Sequence, residues 1–505
     1  MADYLVTDTE LTDVANAIRT KAGLSETLEF PSEFVSAIAN IPTGGTLQSK
    51  SVTPTESAQT VMPDSGYDGL SQVYVARIPT NYIVPQGTKS ITENGTGIDV
   101  ASYESVDVNV PTGGGSVSVD EKDVNFYDYD GTCVASYTAA EFLNLSALPE
   151  NPNHEGLTAQ GWNWTLEDAQ AKVSESGHCD LGQNYITSDE KTKLDIIFDK
   201  LLSPVYLGIA VNGTASIDWG DGTAEETITG TSVSSQKRIP HNYAEEGNYT
   251  IAITVINGTI GFYGTSSYYV LSKNSAQAND NRAYANCLER VWLGKNITQI
   301  GNYAFYSCNA LKTITIPRSI TYIGSNAFFN CYCLRSIVFP PDFSIISTQA
   351  MYACYSLEKV IMNKRRITFN GGSVFMTCQS LEKIDIPSGT VTLGENAYYG
   401  CSNLKWVCLP NTLQQIWSGA FRYCISLSEI ELPSSLTSIS ANAFADCYGL
   451  RRIRFNATTP PTIGNSNAFS GLSTDCIISV PIGSLSAYTT ASNYPSSATY
   501  TYIEE

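Results

Sequence analysis

A cysteine that returns at a nearly constant interval is the feature that most limits how this chain can fold. It occupies eight positions, which are Cys287, Cys308, Cys331, Cys354, Cys378, Cys401, Cys424 and Cys447. Successive members of this series are separated by 21, 23, 23, 24, 23, 23 and 23 residues. A fixed period of about 20 to 30 residues predicts a solenoid, because a coil this short cannot bury its apolar side alone and must stack on its neighbours.

The residues around each cysteine repeat with it, in the pattern A-F-x-x-C-x-x-L-x-x-I-x-I-P. In one copy Ala304 and Phe305 precede the cysteine, Leu311 follows it, and a short strand contains Ile314 and Ile316. Side chains of a strand alternate between its two faces, so the leucine and the isoleucines point inward and the residues between them point outward. The sequence therefore predicts a constant interior beneath a surface that varies from coil to coil.

The chain has thirteen cysteines, an odd number. In stacked coils the periodic cysteines form a file of small side chains in the core, which is a common use of free cysteine. Their Cβ atoms should point in parallel into the core, and this disfavours disulfide bonds between neighbouring coils. Zinc is not predicted, because no CxxC pair accompanies the file and the histidines lie outside it, at His154, His178 and His241. We predict free thiols, no metal and no cofactor.

These repeats resemble the surface-antigen (BspA-type) leucine-rich repeats, over about residues 283–470. The segments "ATTPPTIGNSNAF" and "CIISVPIGSLSAY" are similar to the end of such repeat regions. The resemblance implies a leucine-rich-repeat solenoid over residues 271–470. It also implies a C-terminal cap over residues 471–505, which would cover the exposed end of the core.

We define the strand face as the outward residues of the L-x-x-I-x-I strands. A constant frame that presents a varied surface suits ligand binding, and ten of these residues are the candidate binding residues: Trp292, Thr313, Lys359, Lys383, Asp385, Trp406, Glu429, Glu431, Arg452 and Arg454. The same face also contains Arg290, Thr315, Ser336, Val338, Ile361 and Cys408. The two tryptophans stand out, because an exposed tryptophan is unusual unless it binds something. The alternative is a solvated face without a ligand.

The front of the chain predicts smaller modules. Residues 1–45 predict a helical hairpin for virion attachment or oligomerisation, with a capping box at Thr7 and Glu10 and a second helix that begins at Pro31. Residues 46–115 predict small β modules. The stretches "LTDVANAIRTKAG", "SVTPTESAQTVMPDSGYDGLSQVYV" and "GTKSITENGTGIDVASYESVDVNV" resemble the N-terminal modules of bacteriophage tail and tail-fibre proteins.

Residues 116–200 predict an α+β module that also resembles a module of phage tail proteins. Its "VNFYDYDGT" fits the haloacid-dehalogenase phosphatase signature, with Asp128 as nucleophile and Asp130 as acid/base. That chemistry also needs a downstream lysine, a second acidic pair and βαβ repeats, whereas an Asp-Gly hairpin turn gives the same letters. Trp162 and Trp164 fit either a sugar-stacking pair or two core anchors.

Residues 201–270 contain "ASIDWGDGTAEET" and "HNYAEEGNYTIAITV". They resemble the polycystic-kidney-disease (PKD) repeat, which implies an Ig-like β-sandwich that acts as a spacer. The carboxylates of Asp218 and Asp221 could hold Ca²⁺. Hydrogen bonds from these carboxylates to their own turn explain the same sequence.

Composition excludes several classes of function. The formal net charge of −20 argues against nucleic-acid binding, since phosphates need a basic patch. No apolar run approaches ~18 residues, so no membrane-spanning helix is predicted. The first residues lack the basic and apolar regions of a secretion signal, which predicts synthesis in the cytoplasm without a signal peptide.

From these features we predict a mainly β, multi-domain structural protein of a phage or prophage tail, located in the virion and without enzymatic activity. Its N-terminal modules would bind other tail or baseplate proteins, and its strand face would bind a glycan or a protein of the host surface. We expect a homo-oligomer, a trimer as in many tail fibres, with no membrane insertion. The alternatives are a bacterial surface adhesin with the same repeats and a haloacid-dehalogenase-like phosphatase.

Overall fold

A computed structural model describes residues 121–199, 202–265, 268–273, 278–363 and 367–505, together with two short strands nearer the N-terminus. The chain separates into two units, Met1–Gly113 and Gly114–Glu505. In the first unit, β1 (Gln59–Val61) pairs antiparallel with β2 (Val73–Val75). The predicted helical hairpin and most of the predicted small β modules lie outside the described residues.

The second unit begins with an α+β module over residues 121–187, which we call the front module. Its elements are β3 (Val124–Tyr127), β4 (Cys133–Tyr137), α1 (Ala139–Leu143), β5 (Leu157–Trp162), α2 (Leu166–Ser176) and β6 (Cys179–Thr187). The strands form one sheet in the order β4-β3-β6-β5, with β3 and β6 parallel. Phe126, Phe142 and Trp162 pack at its centre. A capping box at Thr138 starts α1, and Gly177 in the left-handed conformation ends α2.

Five further strands follow the front module. They are β7 (Thr192–Phe198), β8 (Val205–Asp218), β9 (Glu226–His241), β10 (Gly247–Phe262) and β11 (Leu271–Ser272). The alternating stretch "YTIAITV" does form a strand, within β10. The described residues do not show the separate Ig-like sandwich predicted for 201–270. These strands instead belong to one sheet, and their apolar side chains share one continuous core with the repeats.

The repeats form the predicted solenoid, and each coil contributes one strand to each of two parallel rows. The first strand row is β12 (Leu288–Trp292), β14 (Thr313–Ile314), β16 (Ser336–Val338), β18 (Lys359–Ile361), β20 (Lys383–Asp385), β22 (Trp406–Cys408), β24 (Glu429–Leu432), β26 (Arg452–Phe455), β28 (Ile477–Val480) and β29 (Thr501–Glu504). The second strand row is β13 (Ile297–Ile300), β15 (Tyr322–Ile323), β17 (Ile345–Ser347), β19 (Thr368–Asn370), β21 (Thr392–Leu393), β23 (Gln415–Ile416), β25 (Ser438–Ile439) and β27 (Thr462–Ile463).

The antiparallel strands close the N-terminal end of this solenoid. Strand β7 pairs with β12 of the first row, and β10 pairs with β13 of the second row, while β7 and β10 pair with each other. Residues 201–270 therefore include a strand that continues a solenoid row. The reason that a free-standing spacer does not form is that strands β7 and β10 supply partners to the otherwise open edges of the first coil.

The periodic cysteines lie inside the solenoid. Cys287 is 7% exposed and the other seven are fully buried, and all thirteen cysteines of the chain are free thiols. From Cys331 onward each periodic Sγ donates to the carbonyl oxygen of the aromatic or methionine position in the preceding coil, at 3.0 to 3.3 Å. Burial raises the pKa of Cys354, Cys401 and Cys447 to about 12, so these thiols stay protonated and can donate.

The residue three places before each periodic cysteine, which is aromatic in every coil except that of Met351, forms a second internal file. The rings of Phe375, Tyr398, Phe421 and Phe444 stack at centroid distances of 5.4 to 5.5 Å from coil to coil. A cysteine can fit beside such a ring because it is small and apolar, and its thiol adds a second hydrogen bond to a buried carbonyl that already accepts a backbone N–H. Both positions therefore recur in every coil, because each side chain packs on the equivalent side chain of the neighbouring coil.

The remaining helices are α3 (Ala278–Ala285), a 3-10 helix (Ser466–Phe469) and α4 (Leu485–Thr490). The segment predicted to cap the solenoid places Tyr488 of α4 against Phe455, with ring centroids 5.0 Å apart. The Tyr488 hydroxyl donates to the carbonyl of Ala457 at 2.6 Å. Among the described residues, no helix has the length and the apolar character that crossing a membrane requires.

Candidate functional site

The front module lies on the strand face of the first coils. Its strand β6 approaches so closely at Gly182 that an added Cβ would stand 2.3 Å from Cγ1 of Val338. Tyr127 and Cys133 of the module form a small apolar cluster with Val338 and Ile361 of the strand face. The surface that the sequence predicted to be free for a ligand is therefore occupied, over these coils, by another part of the same chain.

Two buried asparagines of the front module bind the backbone of the coils. The Nδ2 of Asn163 donates to the carbonyl oxygens of Phe339 and Met362, at 3.1 and 3.0 Å. The Nδ2 of Asn184 donates to the carbonyl of Ile316 at 3.0 Å. Both side chains are almost fully buried, so losing these bonds would leave an amide without a partner in an apolar interface. The contacts fix the register of the module against successive coils.

A charged cluster completes the same interface. Nζ of Lys383 lies 2.9 Å from Oε2 of Glu121 and 3.1 Å from Oδ2 of Asp180, and Lys359 also pairs with Glu121. Burial alone would raise the pKa of Glu121, but the bonds from Lys359 and Lys383 outweigh it and lower this pKa. Burial opposes ionisation of Asp180 as well, yet its bond to His178 and the charge of Lys383 hold the pKa of Asp180 below the usual range.

Two other strand-face candidates form polar contacts within the chain, and the hydroxyl of a third is buried without a hydrogen-bond partner among the described residues. Nζ of Lys172 in α2 pairs with Oδ1 of Asp385 at 3.0 Å, and this ion pair is mostly buried. The indole N–H of Trp292 donates to Oδ2 of Asp195 at 3.0 Å. The hydroxyl of Thr313 is buried.

The structure therefore places five of the ten predicted residues in contacts within the chain or with a buried hydroxyl: Trp292, Thr313, Lys359, Lys383 and Asp385. The two lysines and the aspartate pair with opposite charges on the front module. Ligand binding by these five residues stays a prediction. Sequence reasoning could identify the face but could not identify an occupant from the same chain.

Of the other five candidates, Trp406 lies at the edge of the front module and the remaining four lie in later coils. Trp406 is 38% exposed, and one edge of its ring meets His178 at a centroid distance of 4.8 Å. Glu429 and Glu431 are exposed. The guanidinium groups of Arg452 and Arg454 both pair with Glu505. The open end of the strand face is thus charged, with its arginines partly neutralised by the last residue of the chain, and ligand binding there stays a prediction.

The second strand row presents a different outward surface. Register pairing places these outward residues in one line: Gln299, Tyr322, Ile345, Thr368, Thr392, Gln415, Ser438 and Thr462. The position two residues further on is occupied by Gly301, Gly324, Ser347, Asn370, Gly394, Trp417, Ser440 and Gly464. Neither line contains a charged residue. We call these two lines together the uncharged face.

Sequence reasoning missed Trp417, which is 48% exposed. The signal was present in the repeat, because every other copy has glycine, serine or asparagine at this position. A small residue is expected where the chain turns away from the second strand row, so a tryptophan there is not explained by the core. The outward positions of the L-x-x-I-x-I strands do not include residue 417.

The motif "DYDGT" forms the turn between antiparallel strands β3 and β4. Oδ2 of Asp128 lies 2.6 Å from Nε2 of His154, and Oδ1 of Asp128 accepts the backbone N–H of Tyr129. Oδ1 of Asp130 accepts the N–H of Thr132 at 2.9 Å. The carboxylate of Asp128 raises the pKa of His154 by accepting a hydrogen bond from its ring. This arrangement matches the hairpin turn that gives the same sequence letters.

The other candidate sites are also explained by local structure. Oδ1 of Asp218 accepts the N–H of Gly220, and Oδ1 of Asp221 accepts the N–H of Thr223. Oδ2 of Asp221 faces His241 at 2.8 Å, so this carboxylate is engaged on both sides. Within the described part of the chain, no group of three or more histidine, cysteine, aspartate or glutamate side chains is placed to hold a metal ion.

The tryptophans of "GWNW" are core anchors. Trp162 and Trp164 are 5% and 8% exposed. The indole N–H of Trp162 donates to the carbonyl of Pro149, and that of Trp164 donates to the carbonyl of Met362. A ring buried in this way cannot stack on a sugar, so the sugar-stacking alternative for this pair is wrong.

Comparisons with known proteins agree with the repeat. A family model for the BspA type leucine rich repeat region matches in six copies, over residues 258–375 and 368–488. The chain is similar to a leucine-rich repeat protein from Bacteroides ovatus, with 27% identity, a TM-score of 0.37, and coverage of 44% of this chain and 57% of that one. No curated protein matches the chain.

Two other solved structures are also similar over part of their length. A leucine rich cell surface protein from Faecalibacterium prausnitzii shares 28% identity, with a TM-score of 0.31 and coverage of 34% of this chain and 46% of that one. A leucine-rich repeat protein from T. pallidum shares 26% identity, with a TM-score of 0.24 and coverage of 32% of this chain and 67% of that one. The chain thus spans about half of the length of the first two structures.

Proposed function

Residues 258–488 carry BspA-type leucine-rich repeats, and we propose that this protein is a non-enzymatic surface-recognition protein that attaches to a cell through the outside of its solenoid. The observation that carries the proposal is the contrast between the two sides of each coil. Inside, the cysteine, aromatic and leucine positions recur from coil to coil and are buried. Outside, the residues change from coil to coil while the backbone positions stay fixed, which is the arrangement that a recognition scaffold needs.

The front module determines where such recognition can occur. It covers the strand face of the first coils through buried amides and ion pairs. A ligand would therefore meet either the uncharged face or the end of the strand face near Trp406 and Glu429. Each region includes exposed residues, such as Gln415 and Trp417 in the first and Glu429 in the second, and the side chains of each differ between coils.

Two features support a role without catalysis. The only sequence motif that suggested enzymatic chemistry has its carboxylates bonded within a hairpin turn and to His154. The solenoid otherwise buries its nucleophilic thiols and holds them protonated, which makes them poor nucleophiles.

A recognition protein of this kind could belong to a bacterial cell surface or to a phage tail. The repeats favour a bacterial surface adhesin. The second setting is a phage or prophage tail, and the observation that favours it is the resemblance of "LTDVANAIRTKAG" and the following modules to phage tail proteins. In that setting the N-terminal modules would bind other tail proteins and the solenoid would bind the host.

The test is direct binding of the full chain to cells. Fluorescently labelled protein is titrated onto a panel of bacterial and animal cells, and unlabelled protein is the competitor. We expect saturable binding to at least one cell type, removed by an excess of unlabelled chain and absent with heat-unfolded protein. If no cell type shows competable binding, the recognition function is wrong.

Immunogold labelling then separates the two settings. An antibody raised against residues 283–470 is applied to the producing bacterium and to particles released after prophage induction. Gold on the cell envelope alone supports the adhesin, and gold at the tip of a tail supports the phage protein. Gold in the cytoplasm alone contradicts both.

A further inference from the structure

We propose that Trp417 and the neighbouring residues of the uncharged face form a binding subsite for an uncharged glycan. This inference rests on the proposed recognition function and specifies its surface and its ligand chemistry. It begins from Trp417, whose ring occupies a position that is glycine, serine or asparagine in the other coils and is 48% exposed. A large exposed aromatic side chain that the core does not require points to binding.

The ring of Trp417 is held in place at the surface. Its indole N–H donates to Oε1 of Gln415 at 3.2 Å. Gln415 is the outward residue of β23, so the bond ties the ring to the strand next to it. A ring whose orientation is already fixed loses less conformational entropy when a ligand stacks on its face.

The residues around this ring can form hydrogen bonds without carrying charge. Pairing of β21, β23, β25 and β27 places Thr392, Gln415, Ser438 and Thr462 in one line across four coils. Neighbouring strands lie about 4.8 Å apart, so hydroxyl and amide groups recur at that spacing. Hydroxyl groups both donate and accept, and an amide offers one donor group and one acceptor, which matches the hydroxyls of a sugar.

The chemistry of the tryptophan matches the apolar side of the same ligand. The face of an indole ring carries excess negative charge, and the C–H bonds on one side of a pyranose ring are slightly positive and apolar. A sugar that stacks on Trp417 would therefore direct its hydroxyl groups sideways toward Thr392, Gln415 and Ser438. One aromatic platform with flanking polar groups is a common form of a small-ligand subsite.

The absence of charge on this face selects among ligand classes. The chain carries a net charge of −20, which repels anionic polymers, and the outward residues of the second strand row offer no cation to hold one. On the strand face, by contrast, Lys359, Lys383, Arg452 and Arg454 are held in ion pairs. A protein ligand would need an apolar centre to the interface, whereas Ile345 is the only aliphatic residue larger than glycine in the uncharged face.

The experiment compares Trp417→Ala with Tyr448→Ala, which removes an exposed ring that belongs to neither strand row. Surface glycans are extracted from a cell type that the wild-type protein binds and are divided by anion exchange into uncharged and acidic fractions. Each fraction is used as a competitor of cell binding, and the cells are also treated with protease. Circular dichroism melting shows whether each variant folds like the wild type.

We expect the uncharged fraction to compete and the acidic fraction and protease treatment to have little effect. Trp417→Ala should weaken cell binding by about ten-fold or more, Trp417→Phe by less, and Tyr448→Ala by less than about two-fold, with unchanged melting. Competition by the acidic fraction alone, loss of binding after protease treatment, or equal binding by Trp417→Ala would overturn this inference while leaving cell recognition in place. Loss of cell binding by the wild type itself would instead count against the proposed function.

Discussion

Replacing Gly182 with alanine tests whether the front module is fixed on the strand face. The new methyl group would lie 2.3 Å from Cγ1 of Val338 and 3.0 Å from Cγ2 of Ile361, whereas carbon atoms in contact are normally about 3.5 to 4.0 Å apart. One of the two strands must therefore move by about 1 Å. Overpacking of this kind costs about 1 to 3 kcal/mol, and because Val338 and Ile361 are both buried we expect the upper half of that range.

The assay follows the thiol of Cys133, which is buried in the contact between the module and the coils. Labelling of a buried thiol requires transient opening of the contact, so its rate follows the equilibrium for undocking. A cost of about 2 kcal/mol raises that rate about 30-fold, since 1.4 kcal/mol corresponds to a factor of ten. Mass spectrometry of maleimide-labelled peptides measures the rate for Cys133 separately from the other cysteines.

The matched control is Gly464→Ala at the end of the second strand row. There the nearest atom to an added Cβ is 3.6 Å away, an ordinary contact, so Cys133 should label at the wild-type rate. If Cys133 of Gly182→Ala also labels at the wild-type rate, the front module does not approach the strand face as closely as described. The conclusion that the module covers this part of the strand face would then be wrong.

Two further predictions concern the charged interface and the absence of catalysis. Glu121 and Asp180 have lowered pKa values in the folded protein, so the folded state binds fewer protons than the unfolded state. The two carboxylates therefore stabilise the folded protein fully above their ordinary pKa values of 4.5 and 3.8. This stabilisation is lost as the pH falls through the lowered pKa values. Urea unfolding measured from pH 6 to pH 3 should show the onset of this loss, and Lys383→Met should reduce the slope; a slope that is unchanged in Lys383→Met would show that other groups cause it. Asp128→Asn should lower stability by weakening the bond to His154, and neither this variant nor the wild type should release phosphate from p-nitrophenyl phosphate with Mg²⁺; turnover by the wild type that Asp128→Asn abolishes would restore the phosphatase hypothesis.

The interior of the solenoid could be predicted from the sequence because its constraints are local and repeated. Each coil stacks a residue on the equivalent residue of the neighbouring coil, so the spacing between Cys308 and Cys331 already gives the number of residues in one coil. The role of the thiol as a donor to the preceding coil was not visible, since it depends on which carbonyl lies beside Sγ. The ring stacking of Phe421 on Phe444 follows from the same register.

The covered strand face could not be predicted, because its determinants act between residues that are far apart in the sequence. Asn163 and Asn184 bond to carbonyl oxygens that are 132 to 199 residues away, and neither asparagine belongs to a recognisable motif. Gly182 lies within a strand where glycine normally weakens the pairing, and only the approach of Val338 explains it. The charge of Lys383 likewise suggested a ligand, because the sequence does not show which carboxylates of the front module pair with it.

The pairing partners of the strands in residues 201–270 could not be predicted from the sequence either. Alternation of apolar and polar residues correctly indicated the strand within β10. Alternation does not specify the partner of a strand, and β10 pairs with β7 and β8 and also with β13 of the first coil. An apolar face that serves a sandwich and one that serves the end of a solenoid have the same sequence period.

Counting reactive thiols in the native protein tests most directly whether the repeat forms a solenoid with a constant, buried interior. All thirteen cysteines are free, and only Cys333 and Cys408 are partly exposed. We predict that a disulfide reagent reacts with at most these two thiols in the native state and with all thirteen after denaturation. Rapid reaction of most of the eight periodic cysteines in the native protein, or a total below thirteen after denaturation without reductant, would contradict it.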